Sequence, residues 1–181
     1  IDSKTVVGFL GPARSFKDKI RPTEVGEAIG LAWTPDGGEI LIVQAEMYHR
    51  LQDKKVLART GMQGKVMAES DEVAMTLLRN ILDELNPELS KKLRENSVHL
   101  HVPEGSTPKD GPSAGITIFV AAFSEITNQT VKPNLAMTGE IDIKGHVLPV
   151  GGIREKVVAA ERAGAKEVIL PKANERNLHD V

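Results

Sequence analysis

The chain has 181 residues, a net charge of −2 and no cysteine. That length buries a full core without staples, and the missing cysteines exclude disulfides and thiolate metal sites. The near-neutral balance gives no basic footprint for nucleic acid, and no stretch approaches the roughly 18 apolar residues of a membrane span.

Residues 1–25 mix Gly8, Gly11, Pro12 and Pro22 with basic residues between Arg14 and Arg21, and read as a linker or arm with one short strand. From Gly26 the pattern turns to strands. Ala28–Thr34 and Glu39–Glu46 are β-type runs, and Pro35-Asp36-Gly37-Gly38 between them signals a hairpin turn. Met47–Lys54 reads as a loop and Val56–Arg59 as a third strand. After Gly61 and Gly64, apolar residues at Val73, Ala74, Leu77, Leu78, Ile81, Leu82 and Leu85 repeat at three and four, which predicts a long helix. Asn86-Pro87 ends it and opens another, running to about Asn96, because proline suits the first helical position. Val98–Val102 is the next strand.

Residues 108–115, Pro-Lys-Asp-Gly-Pro-Ser-Ala-Gly, then lead into an uncharged run from Ile116 to Phe123. A helix starting at Ser113 would be apolar nearly all round and therefore buried. Its start, entered through prolines and glycines, presents free N–H groups and the positive dipole end to any negative charge forming there. Ser113 is either an N-cap or a nucleophile on this stretch alone. Further on, Leu135–Ile141 and His146–Val150 flank Asp142-Ile143-Lys144-Gly145 as a second hairpin. Gly151-Gly152 opens a helix to about Ala163, capped by Gly164, and Glu167–Leu170 is a strand ended by Pro171. Mixed helices and strands with hairpins early and late predict an α+β fold with a mixed sheet rather than a doubly wound parallel one.

On a wheel at about 100° per residue, Ile153, Val157, Ala160 and Ala163 share one side of the last helix. Arg154, Glu155, Glu161 and Arg162 occupy the other, while Lys156 falls inside the apolar arc. A lysine there either snorkels or becomes easier to deprotonate, which suits a general base. Ser113 and Lys156 together suggest a Ser–Lys dyad with main-chain N–H groups around Gly111, Pro112 and Ala114 holding an oxyanion.

The octet around Ser113 and Gly151-Gly152-Ile153-Arg154-Glu155-Lys156 resemble the two signatures of the Lon protease proteolytic domain. His99 and His101 with Val102-Pro103-Glu104-Gly105, Ala136-Met137-Thr138-Gly139-Glu140, and Gly30-Leu31-Ala32-Trp33-Thr34 are similar to that family too. The resemblance is to the soluble bacterial and organellar type. It implies a serine endopeptidase in which Ser113 is the nucleophile, Lys156 the base and Thr138 a hydroxyl bonded to the lysine amine. It implies further that Asp110 shapes the loop and gates access, and that Glu140, His99 and His101 support the site. Arg154 stands where many relatives have lysine. The resemblance also implies an upstream ATPase module joined through residues 1–25, with the proteolytic domain from residue 26 continuing past Val181. ATP and magnesium belong to that module, and no cofactor is expected in this domain. A homohexamer degrading polypeptide substrates is the expected assembly, in a bacterial cytoplasm or an organelle such as the mitochondrion.

Other readings compete. His99, His101, His146 and Asp110 form a candidate metal set without a telling third spacing. Gly111-Pro112-Ser113-Ala114-Gly115 satisfies the nucleophile elbow of an α/β-hydrolase esterase, but that elbow needs a strand running straight into the serine. A glycine-rich loop before a helix also suits phosphate, though the chain has no Gly-x-x-x-x-Gly-Lys-Ser/Thr motif. A domain of this family retained for assembly only is a further alternative.

Overall fold

A computed structural model describes Phe9 and residues 19–21, 23–35, 37–50, 56–103 and 109–180. Most of the arm expected over residues 1–25 lies outside the described residues, as do Asp36 of the first turn, Glu104-Gly105 and Pro108. At the arm's end, the Ile20 N–H donates to the Ala163 carbonyl at 2.9 Å.

The first hairpin forms as its alternation and turn predict. Strands β1 (Glu27–Thr34) and β2 (Gly37–His49) pair antiparallel from Glu27 with Gln44 to Thr34 with Gly37. β2 is longer than its sequence signal. Met47–His49, read as loop, stays in the strand because β4 (Asn96–His101) pairs with it as far as His49 with Asn96. β3 (Leu57–Thr60) lies parallel to β4 at one end of the sheet.

Helix α1 (Lys65–Leu85) buries Ala74, Leu77, Leu78 and Leu82 of the stripe that its spacing announces, with Val73 and Ile81 half-buried and Leu85, at the helix end, exposed. Asn86 ends α1 and caps α2 (Pro87–Glu95), its side chain accepting the Leu89 N–H at 3.1 Å. Helix α3 (Gly115–Thr127), uncharged up to Phe123, packs with α1 on one face of the sheet, where Ile118, Ala121, Ala122 and Ile126 meet Val43, Ala45, Val98 and Leu100. Helix α4 (Ile153–Ala163) covers the opposite face, with Ala160 against Ile29, Leu31 and Ala136.

The second hairpin differs from its prediction. Leu135–Ile141 is two strands: β5 (Leu135–Met137) enters the main sheet parallel to β1 and to β8 (Glu167–Ile169), and β6 (Glu140–Ile141) pairs instead with β7 (Val147–Leu148). The break at Thr138-Gly139 arises because both residues turn to bond the Ser113 loop. The six-stranded order is β3-β4-β2-β1-β5-β8, with antiparallel and parallel neighbours, an α+β architecture. A 3-10 segment, Lys172–Asp180, follows, of which the sequence carries no clear sign.

Candidate active site

Helix α3 starts two residues later than expected. Pro112–Ala114 is a short 3-10 turn, the α-helix begins at Gly115, and its N-cap is Ala114 without a side-chain bond. Ser113 is therefore not a cap: its hydroxyl makes no hydrogen bond among the described residues. The N-cap alternative fails on geometry, and the hydroxyl is left for other chemistry.

The main chain around Ser113 is held from two sides. On one side, Gly139 N–H donates to the Ser113 carbonyl at 2.9 Å and Ile116 N–H donates to the Gly139 carbonyl at 3.1 Å. On the other, Gly64 N–H donates to the Lys109 carbonyl at 2.7 Å and Lys109 N–H to the Met62 carbonyl at 3.1 Å. Asp110 completes this second attachment. Its Oδ1 accepts the Met67 N–H at 2.9 Å and the Gly111 N–H at 3.0 Å. Met67 lies in the first turn of α1, whose N-cap, Gly64, has no side chain to offer. Asp110 thus caps α1 from 43 residues away, a carboxylate on a positive helix end. Gly64 is required by that contact, since a Cβ there would lie 2.3 Å from the Asp110 Cγ.

Lys156 comes to the same place from α4. Its side chain is 2 % exposed, and Nζ donates to Thr138 Oγ1 at 3.1 Å. The Thr138 hydroxyl in turn donates to the Ser113 carbonyl at 3.1 Å. One hydroxyl thereby joins the amine to the main chain of the serine. Burial depresses the Lys156 pKa from 10.5 to about 8, since desolvation disfavours the ammonium. No carboxylate bonds Nζ among the described residues, so nothing there offsets that loss.

Ser113 and Asp110 line a cavity of about 130 Å³ with Leu31, Trp33, Ile40 and Met67. Sequence reading missed these apolar walls, apart from Leu31 and Trp33 within a quoted motif. Trp33 leaves room for nothing at Gly152, where φ is +68° and a Cβ would lie 2.8 Å from the indole.

The remaining expected residues fall differently. Glu140 opens β6 beside Gly139, half-buried. His99 and His101 are not brought to Ser113. They share the Thr60 hydroxyl, at 2.8 Å from His99 Nε2 and 2.7 Å from His101 Nδ1. They line a separate depression with Glu24, Glu27, Gln44 and Glu46. The reason is register: both project from β4 on the side of Gln44 and Glu46, whereas Ser113 follows a loop to the far end of β1. His146 is elsewhere again, its Nδ1 2.8 Å from Asp142 Oδ2, so the four residues of the candidate metal set are dispersed. Among the described residues no group of three His, Asp or Glu side chains could hold a metal ion. Nor does a strand run into Ser113, as an esterase elbow would require: β4 ends at His101 and a 3-10 turn carries the serine.

Comparison with known proteins agrees with this arrangement. The family model described as Lon protease (S16) C-terminal proteolytic domain matches residues 1–181. The chain is 46% identical over 182 residues to a Lon protease of Syntrophus aciditrophicus, covering 100% of this chain and 22% of that protein. It is 45% identical over 183 residues to one of Buchnera aphidicola (100% and 23%), and 51% identical over 174 residues to one of Methanosarcina barkeri (96% and 21%). The chain spans less than a quarter of the length of these relatives. Its two signatures, one on the Ser113 loop and one on α4, meet at Thr138, and the chain belongs to the Lon protease C-terminal proteolytic domain family of serine peptidases.

Proposed function

We propose that Ser113 and Lys156 form the catalytic dyad of this peptidase domain. The observation that carries the reading is the chain of donors from Lys156 Nζ through the Thr138 hydroxyl to the Ser113 carbonyl. With one N–H directed to Thr138, a neutral amine keeps its lone pair for the serine proton. As Lys156 takes that proton, Ser113 Oγ attacks the substrate carbonyl carbon. The resulting oxyanion lies against the main-chain N–H groups at the head of α3, with their positive dipole end behind them. The alkoxide collapses, the C–N bond breaks, and Lys156 returns the proton to the leaving amine. Water then hydrolyses the acyl-serine ester by the same relay.

Asp110 fixes the loop by capping α1, and Gly111 contributes shape rather than a free donor, since its N–H bonds Asp110. Pro112 has no N–H, which leaves the N–H groups of Ser113 and Ala114 as the oxyanion donors. In the whole protein an ATPase module, using ATP and magnesium, would unfold polypeptide substrates and pass them to a ring of these domains, a hexamer, in the cytoplasm of a bacterium. The chain's share of its relatives' length, under a quarter, supports a further module in the whole protein. The test is a peptide boronate, which forms a covalent adduct with an activated serine. Mass mapping should place the adduct on Ser113, and Ser113→Ala should neither form it nor cleave peptide. An adduct elsewhere, or cleavage by the alanine variant, refutes the assignment.

A further inference from the structure

An open depression of about 640 Å³ lies away from Ser113, where β3 ends the sheet beneath α1 and α2. Arg50, Arg59, Arg79 and Arg94 line it, with Glu72 the one carboxylate among the described lining residues and Val56, Leu57 and Leu93 its apolar groups. Four guanidinium groups cluster on a chain whose net charge is −2. Two of them are not fully used. The Arg79 guanidinium makes no hydrogen bond or ion pair among the described residues. Arg50 donates from Nη2 to the Asn96 carbonyl at 2.9 Å, but its buried Nε has no partner there. Arg59 is held in place: Nε bonds the buried Asp71 at 2.9 Å and Nη2 bonds Glu72. Arg94 bonds Asp83.

The second feature is the strand itself. β3 has β4 on one side and no strand on the other among the described residues. The carbonyls of Val56 and Thr60 accept from Val98 of β4 and from Val102 just beyond it, at 3.0 and 3.2 Å. Main-chain groups alternate in direction along a strand, so those of Leu57 and Arg59 point to the free edge. An unpaired edge is a template for another extended chain. Val56 is 39% exposed beside it.

We propose that this groove docks an extended acidic segment of a partner protein, added as a strand to β3. Alternate carboxylates of that segment meet Arg50 and Arg79, and its intervening apolar side chains meet Val56. A phosphate chain satisfies the arginines but uses neither the main-chain edge nor the apolar floor. The proposal does not depend on the Ser113–Lys156 dyad.

The experiment measures fluorescence anisotropy of a labelled peptide of roughly ten alternating Glu and Val residues. The protein is the Ser113→Ala form of the whole chain, so that cleavage cannot intervene. Binding is expected, weakened by salt and absent for the Lys-Val counterpart. Arg50→Glu with Arg79→Glu should lower affinity at least about tenfold, since two charge-assisted pairs become repulsions. The milder Arg79→Gln, with circular dichroism to confirm folding, should lower it less. The same peptide N-methylated at alternate residues on its pairing edge should also lose binding. Equal binding of the Lys-Val peptide, or none at all, overturns the proposal, as does indifference to the arginine substitutions. Unchanged binding of the N-methylated peptide, together with full competition by tripolyphosphate or an oligonucleotide, reassigns the groove to anions generally. Self-association abolished by the same substitutions, without peptide binding, reassigns it to contact between copies of this chain.

Discussion

Lys156→Met separates the two effects of burying an amine. Folding takes the ammonium out of water and lowers its pKa from 10.5 to about 8. Below pH 8 the folded protein therefore bears the full cost of a buried charge, about 3 kcal/mol at 1.36 kcal/mol per pKa unit. The cost fades as pH rises from 8 to 10.5, because there the folded form has released a proton that the unfolded chain keeps. Methionine removes it and fills similar volume. Against that gain stands the lost bond to Thr138, worth about 1 kcal/mol. The variant should thus be about 2 kcal/mol more stable than the parent at pH 7 and lose that advantage near pH 10.5. Urea denaturation at both pH values measures the difference, and a fluorogenic peptide measures activity. Activity should be absent in the methionine form and also in Lys156→Arg, whose guanidinium remains protonated. In the parent, activity should climb with pH through about 8. A stability difference that does not change with pH, or a folded methionine variant that cuts peptide, refutes the reasoning.

Other substitutions probe the surrounding framework. Thr138→Val keeps the shape but removes the link between Lys156 and the Ser113 carbonyl. It should lower kcat by about tenfold or more with little loss of stability, and Thr138→Ser should restore most of it. Gly64→Ala places a methyl 2.3 Å from the Asp110 Cγ and should lower peptidase activity while circular dichroism stays native; full activity would show that the Asp110 cap is dispensable. Asp71→Asn addresses a carboxyl that burial raises to about 7 despite the Arg59 guanidinium. A raised carboxyl favours the fold at low pH and loses that contribution as pH rises from 3.8 to 7, so the parent's stability should decline across this window relative to the asparagine form. Parallel denaturation curves at pH 4 and 7 would contradict this.

Much of the frame is legible because local patterns agree with their surroundings. The β1–β2 hairpin has alternation and a turn; α1 has a stripe at three and four; Asn86-Pro87 is a stop and a start in one dipeptide. Lys156 is legible for the opposite reason. It violates the pattern of its own helix, and such violations concentrate at functional sites. Failures occur where a residue's state is set by a distant segment. Nothing local in Met47–His49 says strand; pairing with β4 makes it one. Thr138-Gly139 continues a β-type run, yet breaks from the sheet because the Ser113 loop bonds it. His99 and His101 neighbour a quoted motif in sequence, but register points them to Thr60.

The Asp110 attachment shows what such distant control does for the site. A helix that opens with Gly64-Lys65 has no Ser, Thr, Asp or Asn to receive its first N–H groups, and that deficit is visible in the sequence. Its remedy is not, because the carboxylate arrives from the Ser113 loop. Each partner then supplies what the other lacks. α1 is anchored in the core by Ala74, Leu78 and Leu82, so it offers a rigid positive end. The loop, rich in glycine and proline, has few groups of its own to fix it. With Asp110 on α1 and the Ser113 carbonyl on Thr138 and Gly139, the serine is held between two elements that each belong to the packed core. A nucleophile on a loop rich in glycine and proline thereby acquires the positional precision of a helix, and its hydroxyl, excused from capping, is left to react.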